Sequence, residues 1–168
     1  CFILTYPLAH FHFLLYNMSH NITKGVIPMV NLLTGQKGSG KTQLMIESAN
    51  KKAKECDGNV IFIKNSHNDT ISLSFDVRAV CMADYPSIRN IDDYTGFLYG
   101  MLSANSDIQV IFIDAILKQT DIELENIPRF IDRLDNISKR HNVEFFVSIS
   151  ANKEDLAGVN TEKVNYLS

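Results

Sequence analysis

The sequence predicts an α/β fold: a three-layer αβα sandwich in which helices cover both faces of a mostly parallel sheet of four or five strands. Short apolar runs rich in β-branched and aromatic residues alternate with segments whose apolar residues recur at helical spacing. Strands that alternate with helices form parallel sheets, because a parallel connection has to return across a face of the sheet. With 168 residues, 45% of them apolar, the chain can bury one sizeable core.

The first predicted strand and helix surround a glycine-rich turn. Residues 29–34 read MVNLLT, a short apolar run that predicts a strand. After the turn, residues 41–56 repeat apolar side chains at the offsets of one helical face. The dipeptide Asp57-Gly58 follows and predicts the end of this helix.

The remaining elements continue the alternation. Continuous apolar runs are typical of strands that are buried on both faces of a parallel sheet. The predicted strands are residues 59–64 (NVIFIK), 77–82 (VRAVCM), 109–114 (QVIFID) and 144–149 (EFFVSI), and the predicted helices are residues 92–105 and 126–140. Because ligands of such sheets bind at the carboxyl ends of the strands, functional motifs are expected there.

The composition changes near Met29. Residues 1–28 contain no acidic residue and a single base, Lys24, whereas the rest of the chain has an ordinary mixture of charges. We therefore expect residues 1–28 to be an accessory N-terminal segment, either disordered or the result of a mis-set start. Residues 29–157 are then the folded domain, and residues 158–168 are a polar C-terminal tail.

Charge and cysteine content narrow the classes of function. The chain has 16 Lys+Arg against 19 Asp+Glu, so its net charge of −3 gives no basic footprint for nucleic acid. The three cysteines form no CxxC pair, which fits free thiols in a reducing, cytoplasmic compartment. The apolar stretch of residues 1–17 is interrupted by one proline and two histidines and is shorter than the roughly 20 residues of a spanning helix. We expect no membrane span.

The most specific motif follows the first strand. The eight residues are Gly35, Gln36, Lys37, Gly38, Ser39, Gly40, Lys41 and Thr42, which match G-x-x-x-x-G-K-[ST] at every fixed position. Glycines in such a loop let successive backbone N–H groups turn inward, and the following helix adds its positive end. The motif predicts a phosphate-binding site over residues 35–43, with Gln43 as its last member.

Three side chains at this site have expected roles. Lys41 supplies a positive charge to the β and γ phosphates, which also makes it a catalytic candidate, and Thr42 supplies a hydroxyl to Mg²⁺. Asp114 ends an apolar strand, and its carboxylate is the second predicted Mg²⁺ ligand. Lys37 allows two interpretations, a further phosphate contact or a solvent-exposed side chain, and both stay open.

With these two motifs the sequence resembles the P-loop NTPase superfamily, with GQKGSGKT as Walker A and VIFID as Walker B. The arrangement looks most like RecA-like, ASCE-type members and like small stand-alone bacterial ATP-binding proteins. The resemblance covers residues 29 to about 152. It implies the P-loop NTPase fold, with ATP as ligand or substrate and Mg²⁺ as cofactor.

Two other branches of the superfamily have diagnostic motifs that can be compared with this sequence. MinD-like ATPases carry a second lysine directly after the first glycine, where this sequence has Gln36. Small GTPases carry an N/T-K-x-D motif after an apolar strand, and residues 152–155 (NKED), which follow the run EFFVSI, match its spacing. GTP therefore remains an alternative to ATP.

The resemblance leaves the catalytic base open. Hydrolytic RecA-like proteins usually place a glutamate beside the Walker B aspartate or at the tip of a neighbouring strand, but Asp114 is followed by Ala115. Asp69, in the polar loop after NVIFIK, is the best remaining candidate, ahead of Asp121 and Glu123. Ser148 and Ser150 lie at the end of the last predicted strand, where RecA-like ATPases often place a sensor of the γ-phosphate, and Ser150 is the expected sensor.

These observations predict an Mg·ATP-binding protein that is a slow ATPase dependent on self-association or on a protein activator. The alternative is a non-hydrolysing module in which the nucleotide gates the loop of residues 65–76. A small nucleoside or nucleotide kinase is a third possibility. It would need a basic lid over the phosphates, and residues 115–125 contain only Lys118 as a base.

Overall fold

The computed structural model describes residues 29–67, 72–119 and 121–167. The predicted accessory segment, residues 1–28, and the candidate base Asp69 lie outside the described residues. None of the described helices combines the length and the apolar character that crossing a bilayer requires.

Six strands form one sheet within the described part of the chain. They are β1 (Val30–Thr34), β2 (Asn59–Lys64), β3 (Val77–Cys81), β4 (Ile108–Ile113), β5 (Glu144–Ile149) and β6 (Val164–Leu167). Their order across the sheet is β3-β2-β4-β5-β1-β6, and all five pairings are parallel. The prediction of a parallel α/β fold is confirmed, with six strands rather than four or five.

Three helices in the described part of the chain cover the two faces of the sheet. They are α1 (Lys41–Glu55), α2 (Ile91–Ala104) and α3 (Ile127–His141). Apolar residues of α1 pack with Phe62 and Phe112 on one face. Apolar residues of α2 and α3 pack with Ile61 and Ile111 on the other face. This division of the core gives the three layers of the predicted sandwich, because alternate strand residues point to opposite faces.

The additional strand lies within residues 158–168, which the sequence predicts to be a polar tail. Residues Val164–Leu167 form β6, which pairs with β1 in the register Val30↔Val164. Only Val164 of the four is buried, because an edge strand is paired on one side alone. Four residues without a continuous apolar run give too weak a pattern to predict a strand.

The parallel sheet brings the functional residues to one edge. Every strand runs in the same direction, so the carboxyl ends of β1, β2, β4 and β5 meet there. β5 lies between β4 and β1, and therefore separates Asp114 from the glycine-rich loop by one strand.

Candidate nucleotide-binding site

The glycine-rich loop leaves β1 and enters α1 in a shape that requires glycine at two positions. Gly38 and Gly40 both have φ of 85°, in the left-handed region that side chains with a Cβ rarely adopt. The N–H of Gly35 donates to the carbonyl of Ala151 at 2.9 Å, which fastens the loop to the chain just after β5. The loop thus has a defined backbone, and it leads directly into the N-terminus of α1.

Lys41, the first residue of α1, reaches back across this loop. Its Nζ donates to the carbonyl oxygens of Gly35 and Gln36, both at 2.7 Å, and to Ser39 Oγ at 3.3 Å. Lys41 is only 8% exposed. The ammonium is therefore held among the loop residues that the motif assigns to phosphate binding.

The surroundings of Lys41 change its proton affinity. Burial lowers the pKa of Lys41, because the charged form loses solvation. The carboxylate of Asp114 opposes this effect, and the positive charge of Lys118 adds to it. The pKa of Lys41 is on balance below its ordinary value, and a phosphate bound there would favour the charged form again.

Asp114 stands directly after β4 and joins the predicted metal ligands. Thr42 Oγ1 donates to Asp114 Oδ2 at 2.9 Å, and Ser148 Oγ donates to Oδ1 at 2.6 Å. Asp114 is only 4% exposed. The structure brings together the hydroxyl and the carboxylate that the sequence assigns to Mg²⁺, although they are 72 positions apart in the chain.

The donor set fits Mg²⁺. A hydroxyl oxygen and a carboxylate oxygen are hard ligands, and Mg²⁺ is usually held by one or two protein oxygens together with waters and substrate phosphates. Thr42 and Asp114 supply such a pair beside the loop that carries Lys41.

Ser148 also supports the backbone that follows Asp114. Its Oγ accepts a hydrogen bond from the N–H of Ala115 at 2.6 Å. Ala115 has φ of 53°, a left-handed conformation that costs a non-glycine residue free energy. Ser148 therefore holds both the carboxylate of Asp114 and the turn after it. Of the two serines predicted at this end of β5, Ser148 makes the contact with Asp114, and Ser150, the expected sensor, does not.

A second set of hydrogen bonds holds the backbone of Asp114. Gln119 Nε2 donates to the carbonyl of Asp114 at 2.5 Å and to that of Ile63 at 3.2 Å. Tyr94 OH donates to Gln119 Oε1 at 2.7 Å. Tyr94 is fully buried, and this burial raises the pKa of its hydroxyl well above the ordinary value, so the hydroxyl stays a donor. Sequence reasoning did not identify Gln119 or Tyr94, because their partners lie on other elements.

Lys64 ends β2, the strand beside β4. The pairing Ile63↔Ile113 places Lys64 next to Asp114 at the edge of the sheet, and the preceding same-face residues Phe62 and Phe112 stack with ring centroids 6.0 Å apart. Lys64 is only 3% exposed. The tip of this neighbouring strand therefore carries a buried lysine and not a carboxylate.

The other predicted site residues lie around this centre. Gln36, Lys37 and Gln43 are exposed, and Gln43 Nε2 donates to Glu47 Oε1 at 2.7 Å. The exposure of Lys37 is compatible with both interpretations. Ser150 is half-buried just after β5.

The two lesser candidates for a catalytic base are both solvent-exposed. Asp121 donates its backbone N–H to the carbonyl of Arg89 at 3.0 Å, and Glu123 directly precedes a short 3-10 turn. Among the described residues, neither side chain forms a hydrogen bond or an ion pair with Thr42 or Asp114.

A solved structure of low sequence identity supports the fold. No protein-family model matches the sequence, and no curated protein matches it. Among solved structures, the crystal structure of a KaiC-like protein from the hyperthermophilic archaeon Pyrococcus horikoshii is similar, with a TM-score of 0.53 and 19% sequence identity. The similarity covers 74% of this chain but only 62% of that protein. The chain therefore has an α/β fold that resembles the fold of this KaiC-like protein.

Proposed function

We propose that this protein binds a nucleoside triphosphate, in first place ATP, together with Mg²⁺ at the loop of residues 35–43. The observation that carries the proposal is the hydrogen bond between Thr42 and Asp114 beside the loop that surrounds the Lys41 ammonium. The backbone N–H groups of the loop and the N-terminus of α1 would bind phosphate oxygens. Lys41 would place its charge on the β and γ phosphates.

The metal would be held by Thr42 and Asp114. Mg²⁺ supplies charge neutralisation on the β and γ phosphates when it is bound. Ser148 keeps the Asp114 carboxylate oriented toward Thr42 through its bond to the other oxygen. Gln119 holds the backbone of Asp114, so the carboxylate needs little reorganisation to bind the ion.

We propose that ATP turnover by the isolated chain is slow and depends on self-association or on a protein activator. Water activation and phosphate binding are separate contributions to hydrolysis, so a site can bind well and still turn over slowly. The β2 tip beside Asp114 presents the lysine Lys64, which cannot orient an attacking water as a carboxylate does. The catalytic role of Asp69 and the sensor role of Ser150 remain proposals.

A non-hydrolysing nucleotide-gated module is the second candidate, and Lys64 favours it. Its Nζ donates to the carbonyl of His67 at 3.2 Å, which connects the edge of the site to the loop after β2. A cation near the γ-phosphate would strengthen binding without activating water.

Cys56 and Cys81, the cysteines that the structure describes, are free thiols, and we propose a reducing, cytoplasmic location.

The test measures nucleotide binding and phosphate release on the full chain. Calorimetry with Mg·ATP and Mg·GTP gives affinity and base preference, and phosphate release is followed over a wide range of protein concentration. A specific rate that rises with protein concentration supports assembly-dependent hydrolysis. Binding without phosphate release at any concentration supports the module. If neither Mg·ATP nor Mg·GTP binds, the proposed site is wrong.

The variant Lys64→Gln separates the two candidates further. Glutamine keeps much of the length of the lysine side chain and removes its charge. If Lys64 holds the γ-phosphate, the variant should lose affinity for ATP more than for ADP. Equal affinities in variant and wild type would remove Lys64 from the site and leave the slow ATPase as the better proposal.

A further inference from the structure

A second group of potential ligands lies at the same edge of the sheet, beyond β2. The ligand atoms of His67, Cys81 and Asp84 all lie within 4.8 Å of one another. His67 belongs to the turn after β2, Cys81 is the last residue of β3, and Asp84 ends the short 3-10 turn Met82–Asp84. Two segments, the turn after β2 and the end of β3 with the 3-10 turn that follows it, thus converge on one point.

We propose that His67, Cys81 and Asp84 form a binding site for a divalent transition-metal ion, with Zn²⁺ as the best-fitting ion. Imidazole nitrogen, thiolate sulfur and carboxylate oxygen are the three ligand types that Zn²⁺ takes in proteins, at about 2.0–2.3 Å. Mg²⁺ and Ca²⁺ prefer oxygen ligands, so they do not suit a site with a thiol and an imidazole.

The spacing of the ligand atoms is close to what tetrahedral coordination needs. Bond lengths of about 2.0–2.3 Å place neighbouring ligands of a tetrahedral zinc ion about 3.5 Å apart. His67 Nε2 and Asp84 Oδ1 are 2.8 Å apart and are joined by a hydrogen bond, so they would separate slightly around an ion. Cys81 Sγ is 3.6 Å from the carbonyl of Asn65 and would turn from that weak contact to the metal.

One of the three ligands is buried, and the other two are exposed to solvent. Cys81 is only 5% exposed, and its backbone is held in the sheet by the pairing Lys64↔Cys81. The side chains of His67 and Asp84 are 66% and 55% exposed. An ion could therefore enter from solvent, and three protein ligands leave a fourth position for water or another ligand, as in open zinc sites.

Charge balance is compatible with the nearby lysine. A divalent ion with one thiolate, one carboxylate and a neutral imidazole has no net charge, so the Lys64 ammonium does not oppose it. Lys64 donates to the carbonyl of His67, the residue whose ring would bind the ion. A bound metal would hold this turn in place next to the proposed nucleotide site.

The experiment uses the reduced full chain with Co²⁺ as an optical probe and Zn²⁺ as the competing ion. A thiolate ligand gives Co²⁺ an intense near-ultraviolet charge-transfer absorption, which the oxygen ligands Thr42 and Asp114 cannot produce. We expect this band to saturate at one Co²⁺ per chain and to disappear when Zn²⁺ is added. Absence of the band would overturn the proposal.

Three variants assign the site. Cys81→Ser should abolish the charge-transfer band, and His67→Ala should lower Zn²⁺ affinity by more than the roughly 10- to 100-fold that loss of an outer-shell partner costs. His67 is exposed, so its variant should fold as the wild type does, and circular dichroism checks this for both. Cys56→Ser is the matched control, because Cys56 follows α1 and is the other described free thiol outside the group.

The outcomes distinguish this site from other thiols and histidines of the chain. Loss of the band in Cys81→Ser with retention in Cys56→Ser supports the assignment. Retention of the band in folded Cys81→Ser, or its loss in Cys56→Ser, would place the thiolate elsewhere and overturn the proposal.

Discussion

The two sides of the sheet's carboxyl edge are built from different chemistry. On the side of β1, β4 and β5, Thr42, Asp114 and Ser148 form a continuous set of oxygen groups beside the ammonium of Lys41. On the side of β2 and β3, the group of His67, Cys81 and Asp84 offers one nitrogen, one sulfur and one oxygen ligand. Hard cations prefer the first set, and softer ions prefer the second. One edge of a sheet can thus offer two sites that differ in the ligand they select.

The variant Lys41→Ala tests the first side with the largest expected effect. It deletes the one cation held inside the glycine-rich loop, whereas the backbone groups of the loop remain. A hydrogen bond to a charged group contributes about 1.5–3 kcal/mol, so affinity for Mg·ATP should fall roughly 10- to 150-fold. Calorimetry measures the change.

Lys37→Ala is the control for this variant. Lys37 lies in the same loop but is exposed, so its removal changes the net charge of the loop equally without touching the Lys41 contacts. A fall in affinity that is as large for Lys37→Ala would mean that Lys37 contacts the phosphates as well or that the net charge of the loop attracts the nucleotide, and the effect would then not be specific to the buried Lys41 ammonium. Unchanged affinity in Lys41→Ala would contradict the assigned phosphate site.

The variant Asp114→Asn tests whether the oxygen set binds a metal. Asparagine keeps the shape of the side chain but removes the negative charge that attracts Mg²⁺. The enhancement of ATP affinity by Mg²⁺ should fall by about tenfold, or ~1.4 kcal/mol, while affinity for ATP without metal should stay the same or increase. Titrations with and without Mg²⁺ measure both quantities.

The matched control is Asp121→Asn, which removes an equal charge from an exposed position. It should leave the Mg²⁺ dependence as it is in the wild type. If both variants respond equally, or if Asp114→Asn has a normal metal titration, the Thr42 and Asp114 pair is not the metal site.

Local sequence predicts the parts of the molecule that lie close together in the chain. The glycine-rich loop is one such part, because the backbone shape of residues 35–42 depends on their own order of glycines. The buried strands are another, because continuous apolar runs reveal β2, β4 and β5. Asp114 could be predicted because it directly follows one of these runs.

The sequence could not predict contacts that depend on the order of the strands. Ser148 meets Asp114 because β5 pairs with β4, and Lys64 lies beside Asp114 because β2 pairs with β4 on its other side. The group of His67, Cys81 and Asp84 is assembled by the pairing of β2 with β3 in the same way. These pairings join residues distant in the chain, and a single sequence contains no signal for them.

A final and smaller effect concerns the proton on Lys41. Because burial lowers the pKa of Lys41, its charge is lost at a lower pH than that of an ordinary lysine. The protonated form binds phosphate, so ATP affinity should be full below the lowered pKa of Lys41 and should fall as pH rises through it. Calorimetry with ATP and a chelator, in the absence of Mg²⁺, follows this fall in affinity. Leaving out Mg²⁺ avoids the formation of its hydroxide at high pH.

Two variants should move this fall in opposite directions. Lys118 repels the Lys41 charge, so Lys118→Ala should raise the pKa of Lys41 and move the loss of affinity to higher pH. Asp114 attracts that charge, so Asp114→Asn should move the loss to lower pH. Shifts of opposite sign would show that one ammonium, coupled to both neighbours, binds the phosphates. A fall at the same pH in all three proteins would instead assign it to lysines on the open surface, and the distinction between the two sides of the sheet edge would then rest on the metal alone.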